Sequence, residues 1–118
     1  MGFEKSALIL IDFQKDYLHQ EGFFQRAGVC TLETGAREEL LVKAALLVQA
    51  FKHEGKPVVW VNTELRKDHI DSALPVKFSE LMAANADGGF LVEGTWGAEV
   101  MDEVKPSPED YVVIKKGN

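Results

Sequence analysis

Ala7-Leu8-Ile9-Leu10-Ile11-Asp12-Phe13-Gln14-Lys15-Asp16-Tyr17 is the stretch that decides the fold. Its first five residues are apolar without a break and show no helical period. That is the pattern of a short strand buried on both faces, as in a parallel sheet. Polarity returns abruptly at Asp12, so the strand ends there.

The next regular pattern lies beyond the glycines at 22 and 28. Thr34 can cap a helix, Glu38 and Glu39 lie near its positive end, and Leu41, Ala44, Ala45, Val48 and Phe51 form one apolar stripe. Gly55 is the expected stop, with Lys52 and His53 in the last turn. Residues 57–62 then read as a second buried strand, so strand, helix and strand make a right-handed crossover unit. Residues 64–77 are polar and interrupted by Pro75; residues 79–86 fit a short helix ended by Asp87-Gly88-Gly89. Gly94-Thr95-Trp96-Gly97 predicts a turn into a helix over 98–104, which Pro106 and Pro108 break. Residues 111–114 predict a third buried strand.

This order implies one α/β domain over residues 1–118, a three-layer α/β/α, doubly wound, mainly parallel, Rossmann-like sheet. The chain stops just after a strand at Lys115-Lys116-Gly117-Asn118. An uncovered parallel edge is a liability, so the expectation is a fold incomplete at its C-terminus: a fragment, or half of an association with the missing part or with another copy.

Composition narrows the function. Of 118 residues 46% are hydrophobic and 27% charged, a globular balance, and the net charge of −6 speaks against nucleic acid or an anionic membrane as partner. A single cysteine, Cys30, excludes an internal disulfide framework and suggests a reducing compartment. No secretory signal is visible, and the longest apolar run falls far short of the ~20 residues that span a bilayer. The expectation is a soluble cytoplasmic protein.

Ligands of open parallel sheets bind beyond the carboxyl ends of the strands. Asp12 and Lys115 stand at two such ends. At neighbouring strand ends they would face one crevice, each acting on the other's charge. Position alone also admits a turn or cap role for Asp12 and a plain surface role for Lys115.

The wider wording changes that balance. The opening quoted above, followed by Lys56-Pro57-Val58-Val59-Trp60-Val61, by Gly94-Thr95-Trp96-Gly97-Ala98-Glu99-Val100 and by Pro108-Glu109-Asp110-Tyr111-Val112-Val113-Ile114-Lys115, resembles the isochorismatase-like superfamily over nearly the whole chain. The resemblance implies a hydrolase with an Asp, Lys, Cys triad. Asp12 would be the general base that takes the thiol proton. Lys115 would hold positive charge beside the thiolate and the developing oxyanion. Lys116 competes, but Lys115 fits the family spacing after Asp110, and adjacent strand residues point to opposite faces. The triad cysteine would lie beyond Asn118; Cys30 is away from the family position and reads as a small hydrophobe in a loop. The 118-residue chain alone is therefore expected to be inactive.

The resemblance favours attack on a C–N bond of a small amide or ureido substrate. The alternatives are enol-ether cleavage of the isochorismate type, with Asp12 as proton donor, or a non-catalytic structural remnant of the fold. Oligomerisation, usual in the family, is expected. No cofactor is implied, and metal is not expected: His69 stands alone after the second strand, short of the three or four ligands zinc needs. His19 and His53 read as loop and helix-end residues. Gln14 and Asp16 are expected to brace the loop after the first strand, with Asp16 capping a turn. Trp60 reads as core, while Trp96 could line a pocket.

Other strand-end chemistries fail on their residues. A dehalogenase-like phosphatase needs a second carboxylate where Gln14 stands. A receiver domain needs an acid where Lys115 stands. A dinucleotide site needs a glycine-rich turn that residues 12–17 lack.

Overall fold

Leu8–Ile11 forms β1, Val58–Thr63 forms β2 and Tyr111–Lys115 forms β3 in a computed structural model whose described residues are 3–29, 31–68 and 89–116. The strands run parallel in the order β1-β2-β3, with Leu10 beside Trp60 and Trp60 beside Val112. Parallel neighbours cannot be joined by a tight hairpin. The link from β1 to β2 passes through the long helix, and that from β2 to β3 through residues 64–110.

Among the described residues three helices fall between β1 and β2: α1 at Lys15–Leu18, α2 at Phe23–Ala27 and α3 at Thr34–His53. Leu41, Ala44 and Val48 of α3 are buried against Leu10, Val58 and Trp60, together with Val100, Met101 and Val104. Ala45 and Phe51 complete the expected stripe as partly buried flanks. Full burial of one such aliphatic side chain is worth about 1.5–3 kcal/mol, so this cluster fixes α3 on the sheet. Trp60 is 0% exposed, and its indole N–H donates to Asp110 Oδ2 at 2.9 Å.

The end of α3 forms as its sequence dictates. Gly55 has φ +68°, Gly55 N–H donates to Lys52 O, and Lys56 N–H donates to Phe51 O at 2.8 Å. These paired bonds satisfy carbonyls that the last turn would otherwise leave open, and the left-handed glycine permits them. At the other end Glu33, rather than Thr34, is the capping residue, and no side-chain bond caps the helix.

Alternation along the strands puts Leu8, Leu10, Val58 and Trp60 toward α3, and Ile9, Ile11, Tyr111 and Val113 on the opposite face. Ile9 and Ile11 are each 57% exposed, and most of β3 is exposed as well. β1 and β3 therefore differ from the expected strands buried on both faces. α3 packs over β1 and β2 on one side, and Ile9, Ile11, Tyr111 and Val113 stand exposed on the other.

The expected helix over 98–104 is replaced by two 3₁₀ turns, Trp96–Ala98 and Asp102–Val104. The cause is lateral pairing. Lys15 N–H donates to Glu99 O, Met101 N–H donates to Phe13 O, and Gln14 forms an antiparallel bridge with Val100. Backbone groups of 99–101 so engaged cannot also close helical turns. The expected helix over 79–86, Pro75, Cys30 and His69 lie outside the described residues.

Candidate active site

Asp12 follows the last residue of β1, and its amide donates to Val61 O at 2.9 Å as the final rung with β2. Continued alternation would turn its side chain to the α3 face. Instead Asp12 takes φ +61°, a left-handed conformation that Asp and Asn tolerate better than other residues with side chains. The carboxylate consequently meets Thr63 and Lys115, which stand side by side in register on the face away from α3.

Lys115 Nζ lies 3.2 Å from Asp12 Oδ1 and 3.3 Å from Oδ2, and donates to Thr63 Oγ1 at 2.7 Å. The Thr63 hydroxyl lies 3.1 Å from Asp12 Oδ1. The two charged side chains are 22% and 25% exposed, accessible from the crevice without being fully solvated. Of the two competing lysines, Lys115 makes this contact.

One expectation needs correcting. Asp12 and Lys115 are not on neighbouring strands, because β2 runs between β1 and β3. Two strand spacings of about 4.8 Å separate their backbones. The long lysine stem and the left-handed turn at Asp12 close that gap, with Thr63 of β2 bridging the middle. Thr63 was not singled out from sequence. The strand-end rule that selected Asp12 and Lys115 selects it too, once β2 is extended by one residue.

Gln14 supplies the frame. It is 0% exposed; its side-chain oxygen accepts Thr63 N–H at 2.8 Å, and its amide nitrogen donates to Thr63 O at 2.7 Å and Ala98 O at 2.8 Å. A side chain thus continues the ladder where β1 has ended. Asp16 acts similarly, as expected of it: its buried carboxylate accepts Phe23 N–H at the first turn of α2 and Leu91 N–H. Gly97 packs so close to this carboxylate that a Cβ there would fall 2.1 Å from Asp16 Oδ2. Lys15 closes the loop from outside, pairing with Glu99 at 2.9 Å and Asp102 at 3.3 Å, its ammonium 5.2 Å from the Trp96 ring. Burial works against the Lys15 charge, but these two carboxylates outweigh it and raise its pKa.

Tyr17 is the second residue that sequence reasoning passed over. Its ring packs edge-on against Phe24 and Phe90. Burial, then the negative charge of Asp12, push the phenol up to about 12, so it is neutral at physiological pH. The signal was the aromatic residue five places after Asp12.

The remaining candidates sit apart from the pair. Trp60 belongs to the core. Trp96 is partly exposed, with the His19 ring edge-on to it at 4.8 Å. Among the described residues no three His, Cys, Asp or Glu side chains converge as a metal site. No described helix is long and apolar enough to cross a membrane.

Comparison with known proteins places this geometry in context. Ureidoacrylate amidohydrolase RutB of Cronobacter sakazakii (strain ATCC BAA-894) is 29% identical over 121 residues, covering 95% of this chain and 51% of that protein. The solved structure of N-carbamoylsarcosine amidase from Thermoplasma acidophilum superposes with a TM-score of 0.62 at 26% identity, over 93% of this chain and 51% of that one. An isochorismatase family protein from Desulfovibrio vulgaris subsp. vulgaris str. Hildenborough gives a TM-score of 0.67 at 29% identity, over 93% and 52%. The chain thus spans about half the length of the relatives it matches. The isochorismatase domain matches residues 6–118, from just before β1 to the end of the chain and including both members of the charged pair, and this chain belongs to that family.

Proposed function

We propose that the protein is a hydrolase that cleaves a C–N bond of a small amide or ureido compound, with Asp12 and Lys115 as two catalytic residues. The observation that carries this reading is the Asp12–Lys115 contact at 3.2 Å, beyond the carboxyl ends of parallel strands. Two relatives support the substrate class by name: one acts on ureidoacrylate, the other on N-carbamoylsarcosine. Both contain an amide-type carbonyl flanked by nitrogen.

The chemistry follows from the pair. Asp12 takes the proton of a cysteine thiol, and the thiolate adds to the carbonyl carbon. Lys115 offsets the negative charge that develops on sulfur and oxygen. The proton held by Asp12 passes to the departing nitrogen as the C–N bond breaks. Water then cleaves the thioester and releases the enzyme. The cysteine is expected from the part of the relatives' length that this chain does not span, so the 118 residues alone should not turn over. A cytoplasmic setting, which keeps thiols reduced, and a homo-oligomeric state belong to the same proposal.

The test is release of ammonia from N-carbamoylsarcosine and ureidoacrylate by the full-length protein and its Asp12→Asn variant. Asparagine preserves the left-handed preference at this position, and a partly exposed ion pair is worth only about 1 kcal/mol or less. The variant should therefore fold normally and lose turnover. Near-normal activity in the variant rejects the assignment. Activity confined to an enol ether selects the isochorismate-type alternative.

A further inference from the structure

The Thr63 hydroxyl has one hydrogen to give and two lone pairs to receive with. Its two charged neighbours fix how the hydrogen and one lone pair are used. Lys115 is an ammonium and can only donate, so at 2.7 Å it takes one lone pair. Asp12 as a carboxylate can only accept, so the hydroxyl hydrogen points to Oδ1 at 3.1 Å. Thr63 itself cannot swing away: it is 3% exposed and both its backbone groups are clamped by Gln14.

We propose that Thr63 is a positioning residue, whose hydroxyl, oriented by Lys115, engages Asp12 Oδ1 and leaves Oδ2 as the oxygen that takes the nucleophile's proton. This rests on the reading of Asp12 as general base. Oδ1 carries the Thr63 hydrogen bond and the shorter lysine contact; Oδ2 carries only the 3.3 Å lysine contact among the described residues. Two inequivalent oxygens give the base one defined direction. Without the hydroxyl the carboxylate can rotate about its own bond, and the lysine loses its 2.7 Å contact.

The experiment uses the full-length protein and whichever of N-carbamoylsarcosine and ureidoacrylate it hydrolyses faster. Thr63→Val keeps the shape and deletes the hydroxyl; kcat should fall roughly 10–100-fold, the scale of a misplaced catalytic group, with KM changed less than about twofold. Thr63→Ser, which keeps the hydroxyl, should return kcat to within about threefold of the parent. Equal losses in Thr63→Val and Thr63→Ser overturn the inference, since the role is then packing. Unchanged kcat in Thr63→Val overturns it as well. If Thr63→Val does not fold, Thr63→Ala against Thr63→Ser decides: equal kcat in the two overturns the inference. Activity in Asp12→Asn, or none in the parent, is instead a failure of the proposed function itself.

Discussion

Gln14→Leu keeps the bulk of a fully buried side chain while deleting three hydrogen bonds at once. It leaves Thr63 N–H, Thr63 C=O and Ala98 C=O without their partner inside the protein. A buried polar group stripped of its partner costs about 1–3 kcal/mol. Three such groups, allowing for partial relaxation, give a loss of roughly 3–6 kcal/mol. With a urea m-value of about 2 kcal/mol/M, the unfolding midpoint should fall by about 1.5–3 M. Gln14→Glu sharpens the argument because its shape is nearly identical. One carboxylate oxygen can still accept Thr63 N–H, but the other faces two carbonyl oxygens at 2.7 and 2.8 Å. Only a protonated acid can donate there, so burial and these carbonyls hold the folded-state pKa of the introduced group above its unfolded value near 4.3. The linkage sign is then fixed. The folded state binds the proton more tightly, so the variant is most stable below about pH 4.3 and loses stability as pH rises through the folded pKa. Urea unfolding at pH 7 and pH 5 should show the deficit relative to the parent shrinking at the lower pH. A deficit independent of pH, or a Leu variant as stable as the parent, refutes the clamp.

Gly97→Ala places a methyl 2.1–2.4 Å from the Asp16 carboxyl atoms, which are themselves tied to Phe23 N–H and Leu91 N–H. Overpacking of this kind should cost about 1–3 kcal/mol, seen as a lower thermal midpoint; an unchanged midpoint contradicts the close approach. The side chain of Asp110 is shielded from solvent, which alone would raise its pKa, but Ser107 N–H, the Trp60 indole and Lys52 together lower it. Its stabilising contribution is therefore present above its unfolded pKa and lost as pH falls below about 4 through the folded value. Asp110→Asn should flatten the acid limb of stability against pH, and an acid limb as steep as the parent's shows that other carboxylates control it.

The sequence carried the fold where local pattern and tertiary packing agree. The α3 stripe was legible because Leu41, Ala44 and Val48 fall at helical spacing and do face the sheet. Asp12 and Lys115 were legible because an abrupt change of polarity marks a strand end. The turns at 96–104 were not, since their backbone bonds go to residues 13–15, some 84 positions away. Exposure was misjudged for a related reason. An apolar run such as Leu8–Ile11 shows that a strand can be buried on both faces, not which faces have a neighbour. Thr63 escaped because its role is set by partners on two other strands. No local pattern encodes that meeting.

The central claim is that Asp12 and Lys115 act as one unit, and a double-mutant cycle on the full-length protein reads this directly. Groups that work together lose most of their effect when either is removed. Asp12→Asn and Lys115→Met should each lower kcat/KM for the ureido substrate by about 10³-fold or more, and the double variant should be no worse than the poorer single. Losses that multiply in the double variant would mean two independent residues, and the account built on their contact would fall.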